Sequence, residues 1–310
     1  MLIRVGAIAY NTYREAVRAR ILHGLFAAAL GATGYALIVG AYALKAQLRV
    51  VSDLGAAATS IFAIVVAIVI GATSLYRELE LKTIFPILAR PIRRGEYLVG
   101  KLLGTVLTLA VFVAANAGVL LLAVAALAGR PLSVVLGIIM SAGVLLGLGL
   151  WRAPRARTWL PIPWAIAIFL LGFVLASGAP DERRVIGASA LLVVCEVSIV
   201  VAIATLFSSF SSPFLTAVFT LGLFVVGRSA GTLAAMPERL FGAGIQRLSA
   251  ALSKVVPNLM IYQPERPLLT GEAADAALGP YLIMAALHAV AWTVVLLALS
   301  ALIFRRRDFL

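Results

Sequence analysis

The chain has 310 residues, of which 63% are hydrophobic and only 13% charged, about half the charged share of a soluble protein. With a mean hydropathy of +1.07 and no strand-length alternating pattern, disorder and a β-barrel are both excluded, which leaves an all-α, polytopic helical membrane protein. The 26 Lys and Arg against 13 Asp and Glu give a formal charge of +13, which in a membrane protein reports basic cytoplasmic loops rather than nucleic-acid binding.

A spanning helix needs about 20 mostly apolar residues. Counting such runs from the N-terminus predicts eight, at approximately 22–44, 54–75, 102–128, 132–150, 160–178, 186–207, 214–234 and 281–304. The uncharged stretch from Gly24 to Leu44 is too long for the core of a cleaved signal, so the first run is read as a span. Lys and Arg are retained on the cytoplasmic side. With the N-terminus inside, the inner segments collect the arginines of 4–20, the basic residues between Arg77 and Lys101, Arg152 to Arg157, and Arg305 to Arg307. That is sixteen of the 26 basic residues, so both termini are expected in the cytoplasm. The chain reads as a single transmembrane domain, 1–310, and its one cysteine, Cys195, lies inside an apolar run and supports no disulfide framework.

Three segments outside the spans carry most of the remaining information. Residues 1–21 place Arg4, Asn11, Arg14, Glu15 and Arg18 on one helical face and Ile3, Tyr10, Val17 and Ile21 on another, the pattern of a helix lying in the membrane interface. Residues 76–97 form the longest cytoplasmic segment. Pro86 and Pro91 break it into short pieces with a bend, and Leu79, Leu81, Ile84, Phe85, Ile87 and Leu88 are too many for a solvated connector. Residues 235–280 are external: Phe241, Ile245, Leu248, Leu252 and Val255 recur at helical spacing before the turns enforced by Pro257, Pro264, Pro267 and Gly279-Pro280. This segment is expected to rest on the outer leaflet or dip into it.

Gly95-Glu-Tyr-Leu-Val-Gly-Lys-Leu102 matches all but the last position of the phosphate-binding pattern G-x-x-x-x-G-K-[ST]. Leu102 has no hydroxyl for Mg²⁺ and no strand precedes the run, so it is not read as a nucleotide loop. With only His23 and His288, and no clustered cysteines, no metal site is expected, and His288 reads as a buried hydrogen-bonding residue rather than a proton relay. Glu196 and Arg228 are different, because a charge near mid-bilayer costs at least about 2.5–3.5 kcal/mol and so faces protein or a water-filled cavity. Along its predicted span Glu196 lies about 15 Å below the outer end, and Arg228 about 21 Å above the inner end of the next, depths that differ by about 6 Å in a membrane about 30 Å thick. Three readings stay open at this point: a structural ion pair, a pathway-lining carboxylate, or a protonated buried Glu196.

An interface helix, two spans, a Glu-containing bent cytoplasmic segment, further spans and an external amphipathic region before the last span resemble the permease subunit of type-2 ATP-binding-cassette (ABC) exporters. The local text is similar too: Arg77-Glu-Leu-Glu-Leu-Lys-Thr83, Leu88-Ala-Arg-Pro-Ile92 and Glu96-Tyr-Leu-Val-Gly-Lys101 resemble that family's loop between its second and third spans. Val256-Pro-Asn-Leu259 and the ending Phe304-Arg-Arg-Arg-Asp-Phe309 resemble its branch of multi-copper enzyme maturation and gliding-motility permeases. That branch usually has six spans, so the additional hairpin region, 129–185, is a departure from it. The resemblance implies a prokaryotic inner (cytoplasmic) membrane location. It also implies a coupling helix in 76–97 with Glu78, Glu80, Thr83, Ile87, Leu88, Arg90 and Pro91 as candidate contacts to an ATPase subunit. ATP and Mg would be bound by two copies of that ATPase partner and no cofactor by this chain, which is not itself read as an enzyme. A second permease copy or homologue, membrane lipid and an extracytoplasmic accessory protein complete the implied partners. Competing readings are an ion-coupled secondary transporter with Glu196 as proton carrier, or an integral-membrane enzyme, each acting without an ATPase.

Overall fold

Proline and small turn residues set the helix boundaries in the computed structural model. It describes residues 2–80, 94–152, 156–235, 244, 246, 247, 249, 251, 253, 255–272 and 277–306. The labelled helices are α1 (Leu2–Arg18), α2 (Arg20–Tyr42), α3 (Gln47–Glu80), α4 (Arg94–Leu127), α5 (Leu132–Arg152), α6 (Pro161–Leu175), α7 (Pro180–Ser208), α8 (Pro213–Arg228), α9 (Ala230–Ala234), α10 (Arg266–Thr270) and α11 (Leu278–Arg306). Three of them, α6, α7 and α8, open on a proline, whose fixed φ and missing N–H suit the first helical position. No strand occurs among the described residues.

Among the described residues seven helices are long and apolar enough to cross a membrane, and they account for seven of the eight predicted spans. The eighth differs. Helix α8 has 16 residues, about 24 Å of rise against a hydrocarbon core of about 30 Å, and the chain bends at Ser229 before the five residues of α9. The predicted run 214–234 is thus two helices, and Arg228 sits at the end of the first instead of midway along a single rod.

Side-chain contacts identify two ends of the bundle. At one end the Tyr10 hydroxyl lies 3.2 Å from Thr158 Oγ1, tying α1 to the turn between α5 and α6. At the other, Arg130 donates to Ser177 Oγ at 3.1 Å, joining the α4–α5 turn to the α6–α7 turn. We call these the α1 end and the far end.

Helix α7 is the axis of the bundle, packed against α3, α4, α8 and α11. Ile199 to Ala204 are six consecutive residues with at most 1% exposure, so this stretch is apolar and buried all round, as a central helix must be. In lipid there is little hydrophobic gain from helix association, so close van der Waals packing and small residues hold such an axis together. The α5–α6 hairpin is asymmetric. Helix α6 packs closely on α4, whereas α5 touches little besides its two neighbours and buries only Val135.

Candidate functional site

A buried ion pair inside the bundle core is built from α7 and α8. Glu196 is fully buried on α7, seated among residues that offer it no water. Arg228 is the last residue of α8, where the helix's free carbonyls favour a cation. Its Nε donates to Glu196 Oε1 at 2.7 Å and its Nη2 to Oε2 at 2.9 Å, the two-pronged geometry that makes arginine–carboxylate pairs strong. Nη2 also donates to Ser60 Oγ of α3 at 3.3 Å, and the guanidinium carbon lies 5.2 Å from the Phe224 ring centroid. Three helices are thereby joined at one buried point. Of the three readings of Glu196, this is the geometry of the structural ion pair.

The segment that enters from the far end completes this region. A Cβ on Gly227, next to Arg228, would lie 2.8 Å from the Pro257 carbonyl oxygen, so only glycine lets residues 257–259 come so close. Asn258 Oδ1 accepts from the Met260 N–H at 3.1 Å and caps the single 3₁₀ turn Leu259–Tyr262. Leu259 is fully buried, and Tyr262 is 2% exposed, its hydroxyl 2.9 Å from His288 Nδ1 and donating to the Ala285 carbonyl at 3.2 Å. His288 is therefore held by a hydrogen bond within the protein. Val256 to Tyr262 are inserted between helices, with Val256, Leu259 and Tyr262 buried. Residues 244, 246, 247, 249, 251, 253 and 255 are helical where the amphipathic helix is predicted, but Val255 is exposed and Ser249 buried; Phe241, Ile245, Leu248 and Leu252 lie outside the described residues.

Arg266 fastens the segment at the far end. Its Nη1 pairs with Asp53 of α3, and its Nη2 with Glu182 Oε1 of α7 at 3.1 Å. Nothing in the linear order brings position 266 to 53 and 182.

At the α1 end, α1 docks on the first turns of α4. A Cβ on Gly100 would lie 2.7 Å from Ile8 Cβ, and one on Gly104 would collide with the Ala9 carbonyl oxygen. The apparent phosphate loop 95–102 is thus continuous helix whose Gly100-x-x-x-Gly104 spacing receives another helix, a small-residue packing motif that the sequence reading passed over. The buried face of α1 is Val5, Thr12, Tyr13 and Ala16, while Ile3 and Tyr10, expected on the apolar side, are exposed. Helix α1 therefore has three faces: one polar, one apolar and outward, and one of small and aromatic residues against α4.

The predicted coupling residues are placed only in part. Glu78 and Glu80 lie in the last turn of α3, and the described residues resume at Arg94 of α4; Thr83, Ile87, Leu88, Arg90 and Pro91 lie outside the described residues.

A family profile described as ABC-2 family transporter protein matches residues 6–309, nearly the whole chain. No curated protein matches it.

Proposed function

The chain belongs to the ABC-2 family of transporter proteins, and from that premise we propose that it is the membrane-spanning permease subunit of an ABC exporter. Two copies, or this chain and a homologue, form the path. Two ATPase subunits bind ATP and Mg and drive it from the cytoplasmic face of the cell membrane, where both termini lie. An extracytoplasmic accessory protein completes the assembly.

The observation that best supports this reading is the pair α3 and α4. Each has 34 residues, about 51 Å of rise, so each outruns a hydrocarbon core of about 30 Å. The 76–97 segment is continuous with both. A load applied to it would move two long helices that pack on each other and on the axis α7, a route for rigid-body motion into the membrane. On this reading Glu78, Glu80, Thr83, Ile87, Leu88, Arg90 and Pro91 contact the ATPase, and α1, docked beside them on α4, braces the same lever. Ion-coupled transport by Glu196 is disfavoured by its two-pronged engagement with Arg228.

Copurification of an ATPase subunit with this chain tests the proposal. Ile87→Asp together with Leu88→Asp should release the partner, because burying two unpaired carboxylates costs several kcal/mol, while membrane insertion is unchanged. Glu80→Ala should weaken stimulation of the ATPase more than its binding. Normal copurification and transport by the double variant would remove the coupling assignment.

A further inference from the structure

We propose that the additional hairpin completes a lipid site: a groove between α4, α6, α7 and α11 that seats one acyl chain of an anionic phospholipid from the leaflet at the far end, with the headgroup phosphate on Arg183 and Arg184. This inference needs only the bilayer and stands apart from the permease reading.

The groove has a volume of about 480 Å³, within the range of about 300–1,000 Å³ of ligand sites. Val113 of α4, Phe169 and Phe173 of α6, Leu191 and Val194 of α7 and Leu282 of α11 line it. Arg184 is the one polar side chain in its wall. From Arg184 to Val194 the axis α7 rises about 15 Å, half of a hydrocarbon core of about 30 Å, so the groove is one leaflet deep. A peptide in it would have no partner for its backbone groups, which excludes a protein segment as occupant. An acyl chain has none to satisfy.

The chemistry at the mouth selects the headgroup. The Arg183 guanidinium carbon lies 5.0 Å from the ring centroid of Phe173, a groove residue, and its buried Nε has no hydrogen-bond partner among the described residues. Arg184 donates from Nη1 to the Thr270 carbonyl at 3.1 Å, which fixes its position while leaving other N–H groups of the guanidinium to give. Of the acids beside them, Glu182 is engaged by Arg266 and Asp181 is exposed. Two neighbouring guanidinium groups over an apolar slot match a phosphate on an acyl tail. Helix α6 supplies the phenylalanine wall, and its position depends on a close backbone approach to α4, where a Cβ on Gly172 would lie 2.7 Å from the Gly118 carbonyl oxygen. Without the hairpin the slot has no second side.

The test uses the full chain in nanodiscs of mixed phosphatidylcholine and phosphatidylglycerol, with a phosphatidylglycerol carrying a diazirine on its acyl chain. Photolabel should concentrate on peptides containing Leu191, Val194 and Leu282, and unlabelled phosphatidylglycerol should compete roughly tenfold or more better than phosphatidylcholine. Arg183→Gln with Arg184→Gln should abolish that preference and keep the label in the groove. Ala114→Phe should remove the label by filling the slot; if it does not accumulate as folded protein, the wild-type labelling map and the arginine variant decide between them. Label spread evenly over the exposed faces of α5 and α8, a preference unchanged by the arginine variant, or displacement by inorganic phosphate alone would each overturn the assignment.

Discussion

Arg228 meets Glu196 in the middle of the bundle, where the carboxylate side chain is 0% exposed; Arg266 meets Asp53 and Glu182 at the far end, where the Asp53 side chain is 45% exposed. Both are arginine–carboxylate contacts, two-pronged on one acid in the core and shared between two acids at the rim, and the consequences of losing a partner differ. In the core, loss of Arg228 leaves Glu196 a fully buried, uncompensated charge, whereas at the rim loss of Arg266 leaves Asp53 able to rehydrate and Glu182 able to do so in part. The deep pair is therefore a constraint on which arrangements of α3, α7 and α8 are allowed, and the rim cluster is a clasp that can open at small cost. A transporter subunit whose helices must move has reason to keep the two kinds of contact apart: the fixed point at the axis, the releasable one at the mouth.

The largest effect should come from splitting the deep pair. Glu196→Gln or Arg228→Gln alone should each cost about 3–5 kcal/mol of stability in detergent, while the double variant costs much less than their sum, and a double-mutant cycle should return a coupling above about 1.5 kcal/mol. A coupling near zero would break the comparison by making the deep pair no stronger than the clasp. Next comes the close approach beside it. Gly227→Leu must push the Pro257 carbonyl away, an overpacking cost of about 1–3 kcal/mol, and should open residues 257–262 to water. Labelling of a cysteine at Leu259 in a Cys195→Ser background by a water-soluble maleimide would rise accordingly. The smaller effect belongs to the clasp. Arg266→Gln should cost less than either core substitution, and the share of that cost carried by the exposed Asp53 should shrink at high salt, which leaves the Glu196→Gln defect untouched. Salt sensitivity is thus the sharpest way to separate the two sites.

The two sites also differ in how far the sequence reveals them. Glu196 and Arg228 interrupt apolar runs, so each announces itself, and helix rise alone puts them at similar depth. Arg266, Asp53 and Glu182 lie in polar segments where a charge carries no information about its partner. The bend after Arg228 was also hidden: Gly227-Arg-Ser-Ala-Gly231 contains no proline, and the turn is enforced by what packs on Gly227 from residues 257–259, a contact distant in sequence. The docking face of α1 escaped hydropathy because Thr12, Tyr13 and Ala16 are not the most apolar residues of the helix; the four-residue spacing of Gly100 and Gly104 on α4 was the readable sign. The seven long spans, by contrast, follow from composition, because in a bilayer apolar length is itself the fold signal.

Tyr13 adds a third kind of buried polar group to the comparison, one that is neutral at working pH. It is fully buried between α1 and the bundle, and among the described residues its hydroxyl has no hydrogen-bond partner. Burial, with Tyr10 beside it, pushes its phenol from 10.0 up to about 12. A folded-state pKa above the unfolded one means that the protonated form is favoured by folding. Its contribution is complete below pH 10 and is lost as the pH climbs from about 10 towards about 12, where the unfolded chain releases the proton and the folded one holds it. At pH 7, then, Tyr13→Phe should change stability very little, and removing an unsatisfied hydroxyl could even help. Between about pH 10 and 12 the wild type should lose stability relative to Tyr13→Phe, with the loss first detected as undocking of α1 from α4, measurable as increased proteolysis near the N-terminus. The Glu196–Arg228 pair should be indifferent to the same Tyr13→Phe substitution. If both proteins follow one alkaline curve, the burial of Tyr13 is not what resists its ionisation, and the docking of α1 through Gly100 and Gly104 is looser than the packing implies.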